Sequence, residues 1–233
     1  MTVGRSKQSF CAHCWPVPMT RPLTLNLYLN LPDRARAALI WGALALAMFT
    51  PLIAASASPL LQWREPIYIV AGFAGIIGMA LMLVQPLLAI GILPGLSLQN
   101  SRRLHRYVGL FLVLTVTCHV VGLWITSPPD VIDVILFRSP TPFAVWGVLA
   151  MWAVFGAACL AVLRPRMPLR VWRWGHTILV ALAVIGTVTH AMQIIGTMEQ
   201  VTKTVLSALV VAALLTAIAR RKVWLMGLRS RKG

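Results

Sequence analysis

Apolar residues in this sequence come in long unbroken runs, not at the spaced positions of a helix or strand with one wet face. Six runs stand out: Leu39 to Ala55, Ile67 to Leu93, Tyr107 to Ile125, Phe143 to Leu163, Gly175 to Ile195 and Val201 to Ala219. Each comes near the roughly 17 to 25 residues that an α-helix needs to cross hydrocarbon. Within a bilayer a helix satisfies all of its own backbone N–H and C=O groups. The pattern therefore predicts an all-α integral membrane fold, a six-helix transmembrane bundle. Pro51 is expected to kink the first span, and Gln85-Pro86 to bend or end the spanning part of the second. Three regions follow: an N-terminal tail over 1–36, the six-helix domain over 37–220 and a basic tail over 221–233.

Composition agrees, with 59% of residues hydrophobic, 11% charged and a mean hydropathy of +0.82. Soluble domains carry about a quarter charged residues, so no soluble enzyme domain is expected here. The net charge of +16 would suggest nucleic acid in a soluble protein. Here the cations stand in connectors, so lipid is the expected surrounding and no nucleic-acid partner is. Arg5, Lys7, Arg21, Arg34 and Arg36 precede the first run, and Arg102, Arg103 and Arg106 lie between the second and third. Arg164, Arg166, Arg170 and Arg173 lie between the fourth and fifth, and a cluster from Arg220 to Lys232 follows the sixth. The opposite side holds only Arg64, Arg138 and Lys203, with Glu65, Asp130, Asp133 and Glu199. By the positive-inside rule both termini are expected to be cytoplasmic.

Of the four cysteines, Cys118 and Cys159 fall within apolar runs and read as small hydrophobes. Cys11 and Cys14 form a C-x-x-C around His13. A zinc site usually needs four ligands, and c-type haem attachment needs a histidine where Trp15 stands. An unstructured tail is the simpler reading; residues 1–18 show no periodicity, and Met19 is an alternative start. No signal peptide is expected, because the first apolar run begins late and no small-residue cleavage site follows it.

His105, His119, His176 and His190 carry the chemistry. Fourteen residues separate the two histidines of the third span, and fourteen separate those of the fifth. At 3.6 residues per turn each pair returns to within about 40° of one face, about 21 Å apart along the axis. The third and fifth spans run the same way, so His105 stands level with His176 and His119 with His190. Two facing imidazoles at one depth can be the axial ligands of a haem iron; two such pairs predict two b-type haems, one near each face. Gly109, Gly122 and Gly186 lie on the histidine faces and are expected to leave room for a porphyrin edge. Arg103, Arg106 and Arg173 are placed to pair with propionates at the cytoplasmic end, and Arg138 at the other. A haem-free proton or metal transporter using the same histidines is the alternative; it predicts intramembrane carboxylates, and the six runs contain none. An assembly subunit without redox function is a further possibility, separated from the first by haem content.

The stretches LHRYVGLFLVLTVTCHV (104–120) and WRWGHTILVALAVIGTVTHAM (172–192) resemble the ferric reductase-like transmembrane domain, the haem-carrying part of NADPH oxidases and ferric reductases. That resemblance covers roughly residues 37–220. It implies a six-helix bundle in which His105 and His176 hold an inner haem b and His119 and His190 an outer one. Family oxidases continue into a flavin and nicotinamide domain, whereas this sequence shows no glycine fingerprint of that kind. It is closer to the stand-alone bacterial members, such as the haem-binding membrane subunit of the periplasmic methionine sulfoxide reductase system. The resemblance implies a multi-pass protein of the bacterial inner (plasma) membrane. It implies electron transfer from a separate donor, a flavoprotein reductase or quinol, to an outer acceptor such as a ferric chelate, a periplasmic reductase or dioxygen. The proline-rich segment Ser127 to Pro142 is expected either to dock that acceptor or to be a plain connector.

Overall fold

A computed structural model describes residues 32–230, without the side chains of 221–230. The C-x-x-C pair, His13 and the first three basic residues lie outside the described part, as does the end of the basic tail. Seven α-helices and no strand occur among the described residues: α1 (Asp33–Ser56), α2 (Pro66–Ile90), α3 (Leu98–Thr126), α4 (Pro128–Ile135), α5 (Pro142–Leu163), α6 (Leu169–Gln193) and α7 (Gln200–Ser230). All but α4 are long and apolar enough to cross a bilayer. This is a helical membrane protein with six candidate spans. Residues 37–233 form one unit. The described part of the preceding unit opens α1, where the Asp33 carboxylate accepts a 2.6 Å bond from Arg36.

Local chemistry sets the helix ends. Proline begins α2, α4 and α5, where its missing N–H would be unpaired anyway. Ser97 caps α3 by accepting from the Asn100 amide at 3.2 Å. Gly91 ends α2 in the left-handed conformation, with φ of 65°. α2 does not end at Gln85-Pro86 but runs through Pro86 to Ile90, and α1 runs through Pro51. Neighbouring spans shield a proline-interrupted helix from any alternative backbone partner. Two helices extend beyond their apolar runs, because α3 begins at Leu98 and α6 at Leu169, on the basic stretches that precede them. The segment expected as a connector after the third span contains α4, opened by Ser127, whose hydroxyl bonds the Asp130 carboxylate.

Short connectors make successive spans antiparallel. α3 packs along α2, α6 along α5, and α7 lies against both α2 and α6, whereas α3 and α6 do not pack extensively on each other. The core gathers Met79, Met82 and Leu83 of α2, Ala153 and Val154 of α5, Ala183 and Val184 of α6, and Leu206 and Val210 of α7. Large apolar side chains such as Leu46 (70% exposed) and Ile53 (68%) cover the outside of α1, which suits lipid and not water. Polar ties also join elements. Ser101, fully buried, donates to the Leu88 carbonyl at 2.8 Å. Lys203, also buried, donates its ammonium to the Ile194 carbonyl at 2.8 Å, fastening the start of α7 to the end of α6.

Candidate functional site

Small residues bring α2 and α3 close together. A Cβ added at Gly122 would stand 2.7 Å from that of Ala71, and one at Gly78 would be 3.4 Å from the Thr115 hydroxyl. Such close approach is how membrane helices pack without a hydrophobic driving force. It also puts His119 against the backbone of α2: its Nδ1 lies 2.7 Å from the Ala71 carbonyl oxygen. The ring occupies the notch left by Gly75, one turn along from Ala71, where an added Cβ would stand 3.0 Å from Nδ1.

α5 and α6 repeat the arrangement. Gly186 lies against α5, with an added Cβ 2.9 Å from the Trp146 carbonyl and 3.0 Å from Ala150. Nδ1 of His190 lies 2.8 Å from the Phe143 carbonyl oxygen. Its ring fills the notch at Gly147, where an added Cβ would meet Nδ1 and Cε1 at 2.8 Å. In both helix pairs, then, a histidine bonds the carbonyl of one residue and its ring sits over a glycine four positions later. The Phe143 ring adds an edge contact to His190, with centroids 5.8 Å apart.

The other two histidines are set differently. Nδ1 of His105 lies 3.1 Å from the Gln85 carbonyl, and the Gln85 amide is wedged between His105 and Gly109. His176 stacks on Trp172, one turn earlier in α6, with ring centroids 5.5 Å apart and planes 14° apart. The Arg164 guanidinium stands 5.0 Å above the Trp172 ring. α3 and α6 pack little on each other, and between them His105 is within electrostatic reach of His176, and His190 within reach of His119. All four rings are half-buried.

A carbonyl oxygen can only accept, so the bonds of His119 and His190 put a hydrogen on Nδ1, and in the neutral ring the lone pair then sits on Nε2. A second hydrogen bond of this kind fixes the tautomer and ring orientation of a ligating histidine. Among the described residues no group of three or more His, Cys, Asp or Glu side chains is arranged to hold a metal ion. The histidines come as pairs, which would suit a metal group that needs only two protein ligands.

The arginines are less gathered. Arg103 and Arg106 are exposed on α3, Arg138 is exposed beyond α4, and Arg173 is half-buried on α6, its carbonyl accepting from the Thr177 hydroxyl at 2.7 Å. Gly109, Gly122 and Gly186 do not clear space for a macrocycle edge: each meets a neighbouring helix, at Gln85, at Ala71 and at Ala150. The glycines that matter to the histidines are Gly75 and Gly147, and nothing in the sequence distinguishes Gly75 from Gly72 or Gly78. Gln85 did carry a signal, as the one amide or charged residue within α2. Cys118 and Cys159 are free thiols on exposed faces.

Residues 74–187 match the family model described as the ferric reductase like transmembrane component. The matched region takes in Gly75, His105, His119, Gly147 and His176 and stops just short of His190. No curated protein and no solved structure matches the chain.

Proposed function

We propose, on the premise that residues 74–187 match the ferric reductase like transmembrane component family, that this protein carries electrons across the membrane through two b-type haems. His105 and His176 hold the inner haem and His119 and His190 the outer one. The observation that carries this reading is the backbone anchoring of His119 and His190, whose Nδ1 atoms bond the carbonyls of Ala71 and Phe143. The donor set fits a haem iron: imidazoles in pairs, of which His119 and His190 have their orientation fixed from behind and present Nε2 to the metal. Bound there, each haem supplies a one-electron couple in a low-dielectric setting.

The chain's own residues hold and insulate these couples. Gly75 and Gly147 let the outer rings lie flat against their helices. Gln85 braces His105, and Trp172 braces His176. Arg103, Arg106 and Arg173 offset propionate charge at the inner end. Both termini are cytoplasmic, residues 1–36 and 221–233 flank the six-helix domain, and the membrane is the bacterial inner membrane. Electrons come from a separate flavoprotein reductase or from quinol. They leave to an outer acceptor, a ferric chelate or a periplasmic reductase, beside the loop that contains α4.

Vesicles reconstituted with the purified chain test this reading. With an impermeant reductant enclosed and an impermeant ferric chelate outside, the account expects chelate reduction that depends on the protein and is lost in His119→Ala. A protein whose dithionite-reduced spectrum lacks b-type bands sinks the proposal.

A further inference from the structure

The indole Nε1–H of Trp172 is buried and meets no hydrogen-bond acceptor among the described residues. A buried donor without a partner loses its hydration and gets nothing back, so it marks a place where a further acceptor belongs. The surroundings narrow the chemistry of that acceptor. Trp172 stacks on His176, one of the two proposed inner iron ligands. Arg164, in the short turn Arg164–Arg166 that joins α5 to α6, sets a guanidinium 5.0 Å over the indole. An indole N–H can only donate. A donor with a cation close by recognises an anion, and an arginine fork suits a carboxylate.

We propose that Trp172 and Arg164 form the carboxylate-binding site of the inner haem, Trp172 donating its indole N–H to a propionate. This rests on the reading that His105 and His176 hold that haem. Neither residue stands among those that the sequence placed at propionates: Trp172 lies in the basic stretch before the fifth apolar run, where nothing marks an indole as a carboxylate donor. The role is one of binding and of tuning. Hydrogen bonding and positive charge at a carboxylate draw its negative charge away from the iron and favour the reduced state. Removing either group lowers the midpoint potential of the inner couple and leaves the outer couple unchanged.

A redox titration of the purified full chain, followed by the b-type absorption bands, tests this with Trp172→Phe, Arg164→Gln and His105→Ala. Phenylalanine keeps an aromatic ring beside His176 and removes only the donor. The expected result is that W172F and R164Q each retain both haems and shift downward the one couple that H105A abolishes. In the H105A background W172F then leaves the surviving couple unmoved. Loss of the inner haem alone in W172F is the same result in stronger form. Unchanged midpoints in W172F and R164Q, or a shift in the couple that survives H105A, overturn the site. Should W172F fail to fold, R164Q reads the same site alone. If H105A removes no haem, the haem assignment fails and this site falls with it, whereas unchanged midpoints beside the loss of one haem in H105A overturn the site alone.

Discussion

At position 147 a hydrogen stands where any other residue would carry a carbon, and the His190 ring rests against it. An alanine there would put its Cβ 2.8 Å from two ring atoms, too close to keep the Phe143 bond. Disturbing the group that orients a metal ligand typically costs about 10- to 100-fold in affinity. Gly147→Ala should therefore weaken outer haem binding by about that factor, read as haem lost on dilution or on competition with apo-myoglobin. Gly75→Ala, with contacts of 3.0 and 3.1 Å to His119, should do the same more mildly. Gly72→Ala, which meets nothing within 4 Å, should leave both haems in place. Equal haem loss in all three would show that helix packing, and not the ring seats, is at stake. At this scale the sequence revealed the histidines, because fourteen-residue spacing is a property of one helix. Their seats were hidden, because each depends on which residue of another helix lies opposite.

Among the elements, α7 carries an exposed carboxylate cap at its start. Its first turn is capped by Glu199, whose two carboxylate oxygens accept from the amides of Val201 and Thr202 at 2.7 Å. The bond from the Thr202 amide, then that from Val201, holds this carboxyl below its ordinary pKa. A carboxyl depressed on folding adds stability above its unfolded pKa and loses it as pH falls through the folded value. Glu199→Gln should therefore lower the melting temperature in detergent at neutral pH. The gap from the parent should close as pH drops below the usual carboxylate range; a gap independent of pH would contradict the cap. At the end of α2, Gly91→Ala should cost about 1 to 2 kcal/mol for the left-handed backbone, with its Cβ also 2.6 Å from Leu98. Thermal unfolding followed by helix content measures that loss. The six spans were legible as apolar runs, since crossing a bilayer is a demand on composition. The starts of α3 and α6 were not, because basic turns continue a helix once it is nucleated, and hydropathy does not register them. α4 escaped notice because eight residues opening on two prolines look like a connector.

For the whole molecule, the arrangement of charge predicts orientation. Reporter fusions at both termini and in the connector between α2 and α3 should report cytoplasm, and those between α1 and α2 or between α6 and α7 the outer side. A mixed result would set the two histidine pairs at the wrong faces for the proposed direction of electron flow. The bundle itself was foreseeable from the sequence, but its internal division was not. Small residues pull α2 against α3 and α5 against α6, and each close pair presents a carbonyl to a histidine. Between those pairs His105 is within electrostatic reach of His176, and His190 of His119. The central claim is that each pairing grips one haem. Haem per chain, counted by pyridine haemochrome for the parent and for His105→Ala, His119→Ala, His176→Ala and His190→Ala, addresses it most directly. The account predicts two in the parent and one in each variant; a parent without haem, or a variant that keeps both, would contradict it.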